Sequence, residues 1–190
     1  MARTQYYTAT SADGFIADAD NSLDWLFEVP HDEDADAGGW DEFIAGVGVM
    51  AMGSTTYEWV LEHDQILADP AKWKSFYDER PCWVFTHREL PPIPGVDIRF
   101  VSGPVESSYD DMVAASDGRN LWVVGGGDLV GQFDDARLLD EIILNLTPVF
   151  LGSGAPLLPR RITSSRVRLR SAYAEGQRVR ITFDVSRDPS

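Results

Sequence analysis

Short apolar runs alternate with segments of helical periodicity along most of the chain. The runs have the length of strands, and most are continuous, which is typical of strands buried on both faces. They occupy residues 6–10, 47–52, 82–86, 96–101, 121–124 and 142–151. Apolar residues three and four positions apart predict helices at residues 40–47, 73–78, 109–115 and 130–139. This alternation predicts an α/β domain with a mixed, mostly parallel sheet and helices on both faces.

The clearest patterning lies near the end of the chain. Apolar residues take alternate positions at 167–169 and again at 179–185, and several arginines lie between them. The pair Glu175-Gly176 separates the two segments. Alternation of this kind on both sides of a turn predicts an antiparallel hairpin with one buried face and one arginine-bearing face.

Length and composition place the chain among globular proteins. It has 190 residues, 44% of them hydrophobic, which fits a single domain over residues 1–190. The lone cysteine, Cys82, excludes an internal disulfide, and His31, His63 and His87 lack the spacing of metal ligands. No apolar stretch approaches the length of a membrane span, and no signal peptide is visible. We therefore expect a cytoplasmic protein without a metal or a membrane partner.

The charge is strongly acidic and unevenly distributed. The formal net charge is −15, which argues against nucleic-acid binding. Acidic residues crowd the first seventy positions, whereas arginines dominate from Arg160 onward. Two interpretations stay open: a solvated acidic face with an arginine-rich edge, or a local anion site among those arginines.

A predicted buried strand runs into three glycines and then a predicted helix. Residues 121–130 read LWVVGGGDLV. Glycine allows close approach of a ligand to the backbone, and the free N–H groups of a helix start favour phosphate. The spacing is neither G-x-G-x-x-G nor a P-loop. A tight turn without a ligand is the alternative interpretation.

A second strand ends in the same way at residues 50–58, MAMGSTTYE. Its Ser and Thr residues could cap the following helix or donate to a phosphate. Two phosphate-binding helix starts at the carboxyl ends of strands in one sheet favour a dinucleotide more than either does alone.

Four segments together resemble the dihydrofolate reductase-like superfamily, specifically the branch that contains the RibD C-terminal domain of riboflavin biosynthesis and its stand-alone relatives. They are TSADGFIA at 10–17, MGSTTYE at 52–58, VGGGDL at 124–129 and TPVFLGSGAPLL at 147–158. Their order and spacing agree with that branch over essentially the whole chain.

The resemblance implies a three-layer α/β/α fold and an NADPH-dependent reductase, similar to dihydrofolate reductase or 5-amino-6-(5-phosphoribosylamino)uracil reductase, acting on a small molecule. Around the pyrophosphate it implies Gly125, Gly126, Gly127, Asp128 and Leu129. For the adenosine-side phosphates it implies Gly53, Ser54, Thr55 and Thr56. It implies Thr86 and His87 near the 2′-phosphate and adenine, and Ile16 and Ala9 beside the nicotinamide.

The chain departs from the family pattern at two points. Many relatives have Arg where Ser54 stands, so NADH becomes possible as the cofactor, although Arg88 could compensate. The position of the proton donor also differs, and Asp24, Asp36 and Asp41 are candidates.

Alternatives on the same fold are a non-catalytic nucleotide-binding or sensing domain and an acidic interaction module. The resemblance further implies a homodimer through the C-terminal hairpin, whose alternating arginines could instead protect its edge from pairing.

Overall fold

The computed structural model describes residues 2–30 and 39–188. The strands are β1 (Thr4–Ser11), β2 (Phe15–Ala17), β3 (Val47–Gly53), β4 (Cys82–Phe85), β5 (Ile98–Val101), β6 (Asn120–Gly125), β7 (Glu141–Thr147), β8 (Ala155–Pro156), β9 (Val167–Glu175) and β10 (Arg178–Val185). The helices are α1 (Gly39–Ala45), α2 (Ser54–His63), α3 (Ala71–Tyr77), α4 (Glu106–Ala115) and α5 (Gly127–Asp135). A short 3-10 turn spans Asp24–Leu26.

Eight strands form one sheet in the order β5-β4-β3-β6-β1-β7-β10-β9. The six strands from β5 to β7 run parallel, and β10 then pairs antiparallel with both β7 and β9. A separate two-stranded sheet joins β2 to β8. The mixed, mostly parallel sheet with a C-terminal antiparallel hairpin is thereby confirmed.

Hydrophobic cores cover both faces of the large sheet, so the domain has three layers. Tyr6 of β1 packs in the core that α4 and α5 cover, together with Met112 and Phe133. The next residue, Tyr7, points to the other face and packs in the core that α2 and α3 cover, with Tyr57 and Trp73. None of the five helices in the described part of the chain has the length and apolar content needed to cross a membrane.

Two predicted elements have different bounds. The strand predicted to cross Pro148 ends at Thr147, because proline has no N–H for the ladder. The helix predicted at 130–139 begins at Gly127 and ends at Asp135. It ends there because Arg137 takes a positive φ of 60° and the Leu138 N–H donates to the Phe133 carbonyl, which closes the last turn.

The hairpin forms, but the prediction of one buried face and one arginine-bearing face was wrong. Arg180 is only 5% exposed, whereas Leu169 is 57% exposed. The register shifts between Thr182 and Phe183, so that Leu169 pairs with Phe183 and Tyr173 pairs with Arg180. Cross-strand partners share a face, so this bulge sends Leu169 and Tyr173 to opposite faces.

Carboxylates pair with many of the C-terminal arginines. Ion pairs to Asp or Glu form at Arg160, Arg166, Arg170, Arg180 and Arg187. These pairs favour the interpretation of a charged edge over that of a separate anion site.

Candidate functional site

Three adjoining cavities form a groove along the carboxyl ends of the parallel strands. The central cavity, of about 460 Å³, lies at the ends of β3 and β6. The outer cavity, of about 270 Å³, lies past the end of β4. The inner cavity, of about 320 Å³, lies beside β1 and β7. Outer and central cavities share Ser54, Phe85 and Gln132, and central and inner cavities share Thr8 and Val124.

Two helix starts meet in the central cavity. Gly53 precedes α2 and Gly126 precedes α5, and no described side chain caps either helix. A Cβ placed on Gly53 would lie 3.8 Å from the Gly126 nitrogen, so the two turns are adjacent. The N–H groups of the first helical turn lack partners within the helix, and the helix dipole adds partial positive charge there. This part of the groove therefore suits an anion such as a pyrophosphate.

The consecutive glycines at the start of α5 serve different purposes. A Cβ on Gly127 would come within 2.3 Å of the Pro156 carbonyl oxygen, so close packing against β8 requires glycine there. A Cβ on Gly126 would meet nothing closer than Ile16 Cδ1 at 3.8 Å. The protein's own packing does not require glycine at Gly126, and the free space belongs to the cavity. The residues present thus fit a bound dinucleotide.

The small sheet of β2 and β8 lines one wall of the central cavity through Ile16, Ala17, Ala155 and Pro156. Asp13 fixes the two loops that lead into it. Its carboxylate accepts hydrogen bonds from the Ser11 hydroxyl at 2.6 Å and from the Gly152 N–H at 2.7 Å. These donors, the Ser11 hydroxyl above all, hold the pKa of the Asp13 carboxyl below its ordinary value.

The negative charge of Asp128 is partly offset at the wall of the central cavity. Its carboxylate accepts hydrogen bonds from Arg160 Nη2 and Gln132 Nε2, both at 3.1 Å. Arg160 also donates from Nε to Asp135 at 2.8 Å. Because Arg160 is positively charged, its contact reduces the repulsion that an acidic side chain would otherwise exert on a phosphate.

The inner cavity combines aromatic walls with a polar floor. The rings of Trp40 and Trp122 meet edge to face, with centroids 5.4 Å apart. On the floor, Asn145 Nδ2 donates to the Tyr7 hydroxyl oxygen at 2.9 Å, and Arg180 Nη2, which is not part of the cavity lining, donates to the same oxygen at 3.0 Å. Sequence reasoning missed this network. The one available signal was Asn145, a polar residue in an otherwise apolar strand.

The groove brings together every residue predicted to contact the cofactor. The central cavity is lined by Ile16, Gly53, Ser54, Thr55, Thr56, Gly125, Gly126, Gly127, Asp128 and Leu129. Thr86 and His87 line the outer cavity, and Ala9 lines the inner cavity.

The two acidic candidates for proton donor that the structure describes do not lie at the groove. Asp24 and Asp41 are exposed and line none of the three cavities, and Asp36 lies outside the described residues. Within residues 2–30 and 39–188, no three His, Cys, Asp or Glu side chains cluster in a way that could hold a metal ion.

Known proteins resemble this chain in sequence and in architecture. The family model described as the RibD C-terminal domain matches residues 4–181. The chain is 30% identical over 181 residues to the uncharacterized protein YwjB of Bacillus subtilis strain 168, and the match covers 95% of this chain and 97% of that protein.

Solved structures agree with that match. A protein from Shewanella sp. PV-4 whose name refers to riboflavin biosynthesis superposes with a TM-score of 0.79 at 25% identity, covering 98% of this chain and 99% of that one. A dihydrofolate reductase from Enterococcus faecalis, solved with NADP(H), superposes with a TM-score of 0.59 at 13% identity, covering 98% and 97%. The fold is therefore dihydrofolate reductase-like, as the four sequence segments predicted, and the chain belongs to the RibD C-terminal domain family.

Proposed function

We propose that the protein is an NAD(P)H-dependent reductase that transfers a hydride to the carbon of a C=N or C=O bond in a small molecule. The observation that carries the proposal is the continuous groove, with two adjacent, uncapped helix starts and the free space beside Gly126. Membership in a family named for a riboflavin-pathway protein supports a reductase of this general type.

The proposal gives each group of residues in the groove its own role. The start of α5 at Gly126 and Gly127 would hold the pyrophosphate, and Thr86 and His87 would border the adenosine end. Ile16 would cover the nicotinamide, which supplies the hydride when the reduced cofactor is bound.

The inner cavity is the proposed substrate pocket. The rings of Trp40 and Trp122 suit a flat, small molecule, and Asn145 offers a polar group to its edge. A proton must reach the nitrogen or oxygen of the reduced bond. We propose the Tyr7 hydroxyl as its source, because Asn145 and Arg180 both donate to its oxygen and would stabilise negative charge there.

Thermal unfolding with NADPH, with NADH and without either tests the cofactor part of the proposal. A ligand that binds only the native state raises the free energy of unfolding by about 2.7 kcal/mol at about a hundred times its Kd. Ser54→Asp puts a carboxylate between the central and outer cavities, at a helix position that tolerates acids. We expect this variant to lose most of the ligand shift and Ser54→Asn, of similar size without charge, to keep it.

No shift with either nucleotide for the wild-type protein would contradict the proposal. Turnover is then measured as consumption of the reduced nucleotide with a panel of cyclic C=N and C=O compounds. Binding without consumption of the nucleotide would favour the non-catalytic nucleotide-binding alternative.

A further inference from the structure

The outer cavity contains one permanently charged cation among its described lining residues. This is Arg88, which follows the end of β4. Its backbone N–H donates to the Thr86 hydroxyl at 2.9 Å, which fixes the chain at that turn. NADPH differs from NADH by a 2′-phosphate, and a guanidinium is the side chain best suited to bind phosphate oxygens in pairs. Selective recognition of that phosphate in this cavity therefore depends on Arg88.

Glu58 holds both terminal nitrogens of Arg88. Nη1 donates to Oε1 at 2.9 Å and Nη2 donates to Oε2 at 2.5 Å. Glu58 lies four residues after Ser54 in α2 and does not itself line the outer cavity; it meets the cavity wall through its bonds to Arg88. The pair is accessible, since the Arg88 side chain is 56% exposed and that of Glu58 is 40% exposed. A ligand in the outer cavity would therefore contact Arg88 while the Glu58 carboxylate is bonded to it.

The two nucleotides would meet this pair differently. A 2′-phosphate must compete with the Glu58 carboxylate for Arg88 and is repelled by its charge. A free ribose 2′-hydroxyl is neutral and can donate a hydrogen bond to the same carboxylate, which is how acidic residues recognise NAD in other dinucleotide sites.

We propose that the Glu58–Arg88 pair sets the nucleotide specificity of this protein and removes the preference for the 2′-phosphate, so that NADH binds about as well as NADPH. The inference rests on the proposed function, because it assigns a role at the same groove. Glu58 is the specificity-determining residue, and Arg88 becomes a phosphate ligand only when Glu58 loses its charge.

The test is to measure Kd for NADPH and NADH by calorimetry with the wild-type protein and the Glu58→Gln variant. We expect the wild-type values to agree within about threefold, because Glu58 occupies both terminal nitrogens of Arg88 and its negative charge offsets the attraction of the guanidinium for a phosphate. In Glu58→Gln, NADPH should bind roughly fivefold tighter, whereas the Kd for NADH should change less than about twofold, because the Gln amide oxygen can still accept the ribose 2′-hydroxyl. Adding Arg88→Met to that variant should remove the gain.

Asp97→Asn is the matched control. Arg99 donates to Asp97 from Nε at 3.0 Å and from Nη2 at 2.7 Å, with both side chains about as exposed as those of the Glu58–Arg88 pair, yet neither lines a cavity of the groove. This variant should leave both Kd values unchanged.

Two results would overturn the assignment. One is a ratio of the NADPH Kd to the NADH Kd that is the same in Glu58→Gln as in the wild-type protein. The other is a wild-type protein that binds NADPH more than about tenfold tighter than NADH. Failure of both nucleotides to bind the wild-type protein would contradict the proposed function itself.

Discussion

The carboxylate of Asp13 accepts the backbone N–H of Gly152 at 2.7 Å and so ties together two loops that lie 139 residues apart in sequence. Ser11 and Leu151 add further donors to the same carboxylate. These bonds hold the two strands of the small sheet beside the central cavity.

This contact predicts a pH-dependent contribution to stability. The folded-state pKa of Asp13 lies below its ordinary value of 3.8. The stabilisation is therefore present above that value and is lost as the pH falls through the lower folded-state pKa. We expect Asp13→Asn to melt at a lower temperature than the wild-type protein near neutral pH. The melting temperatures of the two proteins should converge as the pH falls below about 4. A difference in melting temperature that is independent of pH would contradict this prediction.

Two glycines of α5 should differ in how well they tolerate replacement by alanine. In Gly127→Ala the new methyl would meet the backbone oxygens of Pro156 and Leu157, which cannot move alone, and we expect a loss of about 1 to 3 kcal/mol. In Gly131→Ala it would meet the Arg160 side chain from Cγ to the guanidinium, which can move but only by straining its bonds to Asp128 and Asp135. Alanine also gains up to about 1 kcal/mol in helix propensity over glycine. Denaturant unfolding should thus show a larger loss of stability for the first variant than for the second.

The Arg166–Asp134 pair is the clearest candidate for a stabilising contact of the C-terminal region. Nη1 and Nη2 donate to the two carboxylate oxygens at 3.1 and 2.6 Å, and both side chains are less than a tenth exposed. Asp134→Asn leaves a buried guanidinium without its counter-charge, for which we expect a cost of about 3 to 5 kcal/mol. The exposed Asp97–Arg99 pair serves as the comparison, since Asp97→Asn should cost less than about 1 kcal/mol.

Replacing Tyr7 on the floor of the inner cavity should lower stability and turnover without changing cofactor binding. Tyr7→Phe removes the acceptor that Asn145 and Arg180 share, at an expected cost of about 1 to 3 kcal/mol. Tyr7 does not line the central or outer cavity, so the Kd for the nucleotide should stay the same. Turnover should fall, because the hydroxyl is the proposed proton source. Equal turnover by the folded variant would remove Tyr7 from that role.

The C-terminal hairpin, expected from the family resemblance to join two copies of the chain, presents Leu169 and Tyr173 to solvent at 57% and 47% exposure. We expect a homodimer in sedimentation velocity that Leu169→Lys and Tyr173→Lys weaken, since lysine on an edge strand opposes pairing. A wild-type monomer at all concentrations would contradict this expectation and agree with the bulge acting as edge protection.

Local sequence signals were sufficient to predict the two helix starts of the central cavity but not the inner cavity. The turns at Gly53 and Gly126 each follow an apolar strand directly, so their place at the carboxyl end of the sheet could be predicted. The inner cavity depends on contacts of Tyr7 with Asn145 and Arg180, which lie 138 and 173 residues away. The two faces of the hairpin depend on a register shift that only strand pairing decides.

The position of β1 in the sheet has a consequence for how the chain folds. Both its neighbours, β6 and β7, follow more than a hundred residues later, as the bonds of Arg3 to Asn120 and of Thr4 to Asp140 illustrate. During synthesis β1 therefore has no native strand to pair with in the large sheet until more than a hundred further residues have left the ribosome. Pairings of such long sequence separation form slowly, and the apolar strand stays available for wrong partners in the meantime. Closure of the sheet is thus a late event that must follow translation of β7.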